Sequence, residues 1–393
     1  MGIDEYLAKL SKEDKKAVRD LNKKVTFDFI PTGSWVMDRL IGDGQGKFKS
    51  GGLPRGHMVE VFGDESCGKT TTGISACVEA QRLGGTPIWL DYERTFHKDY
   101  AQNLGLDIAP NKFVLIEPEN FEHGQSLLVN VIDEVKPSII VVDSVSAMIP
   151  RAFLEGILDE TGRIGEQARL MSNFLSVITK RISTYSTCLM FINQLRSVIK
   201  TSKYDPGPLE ETSGGRAIKY YASLRIKMKK GKVDYIKVKS PITGKSEDRP
   251  NNIQIKVTLV KNKIDTPYYS GPVFLKFGEG FDNITSIIAL ADNTRVIKKT
   301  GGYYKFESGG ETIFYINGRE NLRAFLESNP DALNLLSSSV RLKVDEEAKA
   351  ENDTVADNVD GSSNTEALTN LVDTAPTKKA TTKKVKKNAK SKS

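Results

Sequence analysis

Residues 63–70 read GDESCGKT, and they directly follow the apolar run MVEVF at 58–62. The pattern G-x-x-x-x-G-K-[ST] between a strand and a helix is typical of a loop whose backbone N–H groups surround phosphate oxygens. The positive end of the helix dipole favours the bound anion, and the lysine adds a point charge. A plain glycine-rich turn is the alternative, but it rarely carries this pattern between strand and helix. The sequence therefore predicts an α/β core that binds a nucleoside triphosphate.

Short apolar runs alternate with helical stretches after this loop. The apolar runs, rich in Ile, Val, Leu and Phe, are 86–91, 113–117, 138–143 and 187–193. Helical spacing falls between them, as at 125–135 and 167–182. This alternation predicts a mainly parallel central sheet covered by helices on both faces.

The pattern changes after Gly214. Two alternating runs, 222–229 and 253–261, predict antiparallel strands joined by a polar, basic insertion at 230–252. From 281 to 344 we expect a small separate α/β lobe with a two-strand region and a helix at 320–327.

The composition limits the class of protein. Of 393 residues 38% are hydrophobic, and the three cysteines have neither metal-ligand nor disulfide spacing. The longest apolar stretch, 138–150, is interrupted by Asp143 and is too short to span a bilayer. These features predict a cytoplasmic globular protein without membrane contact.

The chain end separates its charges. Residues 345–373 carry nine acids and one lysine, whereas 377–393 carry eight lysines and no acid. Few large apolar residues occur there, so we expect a disordered tail from Asp345 onward. The tail is either a solvated appendage or, in the sharper interpretation, a set of lysines that contact nucleic acid.

Polar side chains close three of the predicted strands. Asp143 ends the run 138–142, Glu93 follows the strand that ends at Asp91, and Gln194 follows 188–193. Parallel strands place their carboxyl ends at one edge, so these side chains are expected to meet the triphosphate there. Asp143 suits a magnesium ion, Glu93 could deprotonate a water, and Gln194 could bond the γ-phosphate. Glu93 or Gln194 taken singly could instead cap a loop.

Together these segments resemble the bacterial-type RecA recombinases, including phage-encoded members. The matching segments are GDESCGKTTT, LDYE, IIVVDSVSAMIPRAFLEG, FINQLR, SGGRAIKYYASLR and LVKNKI, within about 32–343. The resemblance implies a RecA-like P-loop ATPase core at 32–280. It would follow an N-terminal helical oligomerisation segment at 1–31 and precede the lobe at 281–344 and the tail at 345–393. It further implies a DNA-dependent ATPase that forms a filament on single-stranded DNA and exchanges strands with a duplex in recombination and repair.

The resemblance also assigns roles to residues of the nucleotide site. Glu93 would be the catalytic base, Gln194 the γ-phosphate sensor, and Tyr100 the ring that stacks on adenine. Lys261 and Lys263 would reach the ATP of an adjoining subunit in a helical homo-oligomer. Thr70 and Asp143 would hold Mg²⁺. The residues implied to bind ATP are Gly63, Asp64, Glu65, Ser66, Cys67, Gly68, Lys69, Thr70, Thr71, Asp143 and Ser144.

Two segments resemble the DNA-binding loops of the family, 156–165 and 195–213. Basic groups there would neutralise phosphates while an apolar wedge separates stacked bases. The second could instead be a disordered surface loop. The residues expected to contact DNA are Arg163, Ile164, Gly165, Arg169, Ser172, Arg196, Ile199, Gly214, Gly215 and Arg216.

Two residues of this chain depart from the family pattern. His97 stands where the family commonly has an acidic residue near adenine, and Ser176 replaces a usual arginine.

Two other functions stay open. A hexameric helicase of the same fold would form closed rings, and a nucleotide-gated scaffold would not need a base at Glu93. Loading or single-strand-binding proteins are further partners to expect, and the sequence leaves bacterial or phage origin open.

Overall fold

The computed structural model describes residues 9, 28–42, 51–157, 159–197, 210–239, 244–265 and 267–360. Residues up to Val344 form one compact unit, and residues from Asp345 form a second. The expected N-terminal oligomerisation segment therefore lies mostly outside the described residues. None of the described helices is long and apolar enough to cross a membrane.

A large mixed sheet forms the centre of the first unit. Strands β1 (Phe29–Ile30) and β2 (Leu53–Pro54) make a small antiparallel pair beside it. The strands of the large sheet are β3 (Met58–Gly63), β4 (Ile88–Asp91), β5 (Val114–Ile116), β6 (Ile139–Asp143), β7 (Cys188–Ser197), β9 (Leu224–Lys239), β10 (Ser246–Asn262), β11 (Ser270–Lys276) and β12 (Gly280–Phe281), with β8 (Glu210–Thr212) paired to β7.

The strand order across this sheet is β12-β11-β10-β9-β3-β7-β6-β4-β5. Pairing is parallel from β9 through β5. It is antiparallel from β9 through β12. The prediction of a mainly parallel sheet is thus confirmed, as is the change to antiparallel pairing after Gly214.

Helices cover both faces of the sheet. They are α1 (Trp35–Ile41), α2 (Lys69–Arg82), α3 (Lys98–Asn103), α4 (Phe121–Val135), α5 (Arg151–Leu154), α6 (Glu160–Tyr185) and α7 (Ala217–Tyr221). Successive residues of β6 enter different cores: Val141 packs in the cluster with α2, and Val142 in the cluster with α4 and α6. This alternation is expected of a strand buried on both faces.

The polar, basic insertion at 230–252, to which sequence analysis assigned no secondary structure, is largely strand. Its described residues extend β9 and β10 into a long hairpin, with Lys239 paired to Ser246. Val233, Tyr235 and Ile236 have high β-propensity, and the charged residues around them, Lys232, Asp234 and Lys237, concealed the strand signal.

The C-terminal lobe contains α8 (Asn283–Asn293), the strands β13 (Lys298–Thr300), β14 (Tyr303–Ser308) and β15 (Glu311–Asn317), and the helices α9 (Arg319–Ser328) and α10 (Pro330–Asp360). Helix α9 matches the predicted helix to within one residue at each end. The sheet has three described strands rather than two. Disorder was expected from Asp345 onward, but residues 345–360 are helical and continue α10. The helix extends this far because 330–351 are rich in helix-forming Ala, Leu, Glu and Lys. Residues 361–393 lie outside the described part.

Candidate functional site

The loop GDESCGKT joins β3 to α2 at the carboxyl edge of the parallel strands. Gly68 caps α2 with a φ of 85°, in the left-handed region that favours glycine. A Cβ on Gly63 would lie 1.8 Å from the Met228 carbonyl oxygen. Both glycines are therefore required by the tight path of the loop.

Lys69 lies within the curve of this loop and is 9% exposed. Its Nζ donates to the carbonyl oxygens of Gly63 at 3.2 Å and Asp64 at 2.5 Å. The ammonium is thus fixed at the place where the sequence pattern puts phosphate charge.

Thr70 and Asp143 meet across the strand ends. Thr70 Oγ1 donates to Asp143 Oδ2 at 3.1 Å. Burial raises the pKa of Asp143 to about 7, and the nearby charge of Glu93 adds to the effect. A divalent cation would relieve this repulsion. Within the described ranges no three His, Cys, Asp or Glu side chains form a metal cluster. One hydroxyl and one carboxylate fit Mg²⁺, which commonly completes its shell with waters and phosphate oxygens.

Glu93 receives two donors, one from Ser144 directly after β6 and one from Gln194 within β7. The Ser144 hydroxyl and Gln194 Nε2 both donate to its Oε1, the amide at 3.0 Å. Sequence analysis gave no role to Asp91, whose buried carboxylate accepts the backbone N–H groups of Glu93 and Phe96 at 3.1 and 2.8 Å. Asp91 therefore fixes the turn that carries Glu93. Its position at the end of the LDYE strand was the available signal.

A cavity of about 340 Å³ adjoins the phosphate loop. Tyr100 lies on one side of it, where its hydroxyl is 2.8 Å from Thr71 Oγ1. Ile253, Leu275 and Phe277 also line the cavity, and sequence analysis missed them because they come from distant antiparallel strands. His97 caps α3, since its Nδ1 accepts the backbone N–H of Tyr100 at 3.1 Å.

Lys261 and Lys263 are not brought to this cavity. Lys261 is paired with Arg225, toward the amino-terminal half of β9, whereas Gly63 lies beside Met228 further along that strand. Lys261 Nζ donates to the carbonyl oxygens of Lys219 and Tyr220 at 2.7 and 2.9 Å, at the end of α7. Burial and the adjacent Lys263 lower the pKa of Lys261.

The first expected DNA loop is largely helical. Helix α6 begins at Glu160, because the side chain of Asp159 accepts the N–H of Gly162 at 2.7 Å. Arg163, Ile164 and Gly165 therefore lie in its first turns rather than in a loop at 156–165. Arg163 pairs with Glu160 at 2.7 Å, while Ile164 is 59% exposed.

The remaining DNA candidates on α6 differ in their contacts. Arg169 is exposed and pairs with Glu166 at 2.6 Å. Ser172, one turn further on, is exposed, and so is Ser176. Sequence analysis missed Gln167, which is buried and donates to the carbonyl oxygens of Val145 and Met148 at 2.8 and 2.9 Å. It joins α6 to the segment that follows Asp143.

The second expected loop, 195–213, has paired strand ends. Leu195 pairs with the buried Thr212 as β7 meets β8, and Arg196 is exposed on this stem. Ile199 falls in 198–209, outside the described residues. Gly214 and Gly215 follow with φ of 85° and 72°.

These glycines pack against α6 and the segment before it. A Cβ on Gly214 would lie 2.8 Å from Val145, and one on Gly215 2.9 Å from Ala168. Arg216 follows, exposed, at the start of α7. The fold thus gathers α6, the 195–213 stem and 214–216 beside the Glu93–Gln194 contact.

Comparisons with known proteins match nearly the whole described chain. A family model described as RecA N-terminal domain matches residues 2–282, and one described as RecA C-terminal domain matches 285–345. Protein RecA of Lactobacillus johnsonii is 35% identical over 351 residues, which cover 88% of this chain and 90% of that protein. Protein RecA of Streptomyces avermitilis is 33% identical over 389 residues, 98% of this chain and 96% of that protein.

Proposed function

The chain belongs to the RecA family, and from that premise we propose a role for each part of the site. It is a DNA-dependent ATPase that acts in homologous recombination and DNA repair. We assign ATP to the carboxyl edge of the central sheet, and DNA to α6 together with 195–216.

The observation that carries this assignment is the pair of contacts Thr70–Asp143 and Glu93–Gln194. The first offers a hydroxyl and a carboxylate to Mg²⁺, which when bound neutralises phosphate charge. The second places a carboxylate, oriented by Ser144 and Gln194, where it can take a proton from an attacking water. Lys69 supplies fixed positive charge for the transferred phosphoryl group.

Gln194 connects the two activities. Its amide contacts Glu93, and the stem of 195–213 begins at the next residue. A γ-phosphate that bonds the Gln194 amide would compete with Glu93 for it. DNA binding at 195–213 would therefore respond to the nucleotide.

Lys261 and Lys263 complete the site of another copy in this proposal. Their position away from the phosphate loop of their own chain supports action between subunits. The chain would assemble as a helical filament on single-stranded DNA, with ATP between subunits, and exchange strands with a duplex. Since the substrate is DNA, we place it in the cytoplasm of a bacterial cell or phage-infected host, where loading or single-strand-binding proteins would assist it.

The domain division remains part of the proposal. We assign 1–31 to oligomerisation, 32–280 to the ATPase core, 281–344 to the lobe and 345–393 to the tail. The limits of the two family models, 2–282 and 285–345, support a boundary near 281.

ATP hydrolysis measured with and without single-stranded DNA, followed by electron microscopy of the same samples, tests the proposal. We expect DNA to stimulate turnover and the assemblies to be open filaments. Closed rings that unwind duplex DNA would support the helicase instead, and DNA binding without turnover would support the scaffold.

Tyr100→Ala is expected to weaken ATP binding by about tenfold, because one wall of the cavity beside the phosphate loop is lost. Tyr100→Phe keeps the ring and removes only the bond to Thr71, so its affinity should stay within about threefold of the native value. Titration with a fluorescent ATP analogue measures both. Equal affinity of Tyr100→Ala and the native chain for the ATP analogue would contradict the placement of adenine in this cavity.

Lys261→Ala is expected to slow DNA-dependent hydrolysis by about 10²–10³-fold, because phosphate charge on an adjoining subunit loses its counter-charge. Binding of the ATP analogue to the isolated chain should not change. Lys261 also contacts the end of α7, so thermal denaturation must show an intact fold. Lys112→Ala, at an exposed lysine outside both the nucleotide site and the assigned DNA surface, is the matched control. Weaker ATP binding by isolated Lys261→Ala chains would contradict action between subunits.

A further inference from the structure

Glu60 places a fully buried carboxylate in the central strand β3. Both neighbouring strands supply it with a donor. Arg225 Nε, from β9, donates to Oε2 at 2.5 Å, and Asn193 Nδ2, from β7, donates to Oε1 at 2.9 Å. A buried carboxylate is costly unless it is paired, and Arg225 provides that pairing. The bond to Asn193 is not needed to balance the charge.

The Asn193 side chain forms hydrogen bonds with the backbone at both ends of the segment 195–213. Its Oδ1 accepts the backbone N–H groups of Gln194 at 2.9 Å and of Ser213 at 3.2 Å. Its Nδ2 donates to the Ser213 carbonyl oxygen at 2.9 Å as well as to Glu60. All four contacts fix the amide in one orientation, because only oxygen can accept and only nitrogen can donate.

We propose that Glu60 is a positioning residue that holds the Asn193 amide in place and thereby couples nucleotide binding at Gln194 to DNA binding by 195–213. The coupling depends on the acceptor oxygen of residue 60 and not on its charge. This inference rests on the proposed roles of Gln194 and of 195–213. It goes beyond them, since Glu60 and Asn193 touch neither the phosphate loop nor the exposed DNA candidates through the contacts described above.

A purely structural role for Glu60 makes a different prediction. The guanidinium of Arg225 is 4.7 Å from the centre of the Phe62 ring as well as bonded to Glu60. Buried ion pairs can often be replaced by apolar residues without loss of stability. If the pair served the fold alone, an apolar pair would preserve both stability and coupling.

Two double variants separate these roles. Glu60→Met with Arg225→Met removes both the charges and the acceptor, whereas Glu60→Gln with Arg225→Met removes the charges and keeps a carbonyl oxygen for Asn193. The readout is the affinity for a labelled single-stranded oligonucleotide, with and without a non-hydrolysable ATP analogue, measured by fluorescence anisotropy. Melting temperature and binding of the analogue alone are measured on the same proteins.

We expect the analogue-induced gain in DNA affinity to fall about tenfold in the Met/Met protein and to stay within about twofold of native in the Gln/Met protein. Both should bind the analogue as the native chain does. Asn193→Ala, which leaves the Glu60–Arg225 pair in place, should lose the same gain. It provides the test if the Met/Met protein fails to fold.

Gln194→Ala distinguishes failure of this inference from failure of the proposed function. Equal coupling in the two double variants, or native coupling in Asn193→Ala, overturns the role of Glu60 when Gln194→Ala has lost its coupling. Native coupling in Gln194→Ala overturns the proposed function of that residue, and the inference with it.

Discussion

Replacing Glu93 by Gln is expected to slow ATP hydrolysis by about 10²–10⁴-fold, the range for loss of a general base. The substitution preserves the local contacts, because the Gln carbonyl oxygen can still accept from Ser144 and Gln194. It removes only the ability to take a proton from water. ATP binding and ATP-dependent assembly on DNA should therefore persist, and assemblies should turn over more slowly.

A coupled phosphate-release assay measures turnover, and imaging of filaments after ATP addition measures how long the assemblies persist. Asp91→Asn is a useful second variant. Its amide has one accepting oxygen, so it can no longer accept both backbone N–H groups in the present geometry, and the turn that carries Glu93 becomes looser. We expect that variant to lose activity more mildly than Glu93→Gln. Native turnover in Glu93→Gln would show that the base lies elsewhere.

Replacing Lys69 by Ala is expected to abolish ATP-dependent assembly on DNA and to reduce turnover by at least about 10²–10³-fold. Lys69 is buried within the loop and its ammonium is already held by two carbonyl oxygens. Its loss removes fixed positive charge from a site that also contains Asp143 and Glu93, so repulsion of the phosphates increases.

Lys112→Ala, at an exposed lysine outside the site, is the matched control and should behave as native. Light scattering with ATP and DNA reports assembly, and thermal denaturation reports the fold. Filaments formed by a folded Lys69→Ala protein with ATP would mean that this lysine does not hold the triphosphate in the assembling state.

The sequence predicted the phosphate loop and its edge of the sheet because both follow from local chemistry. Gly63 and Gly68 are demanded by a tight turn, and Asp143, Glu93 and Gln194 converge because parallel strands end together. Parallel topology converts positions along the chain into neighbours in space. The position of these three residues at one edge of the sheet could therefore be expected before any coordinates.

Features that depend on long-range packing were not accessible. Phe277 reaches the cavity through the antiparallel pairing of β11, which periodicity cannot place. The cap at Asp159 converts most of the first expected DNA loop into helix, although the sequence reads as a loop around Gly156. Sequence analysis gave no role to Glu60, although it interrupts the apolar run 58–62, because its partners lie 133 and 165 residues away.

The placement of Lys261 gives an assembled chain a direction. If one copy presents the triphosphate loop and another presents Lys261 and Lys263, the contact joins unlike surfaces, and in an open filament it repeats head to tail. At one end of the polymer, the triphosphate of the last subunit has no neighbouring Lys261 and Lys263. At the other end, Lys261 and Lys263 of the last subunit have no neighbouring triphosphate. The two termini would hydrolyse ATP at different rates, so growth and loss of subunits would occur preferentially at opposite ends.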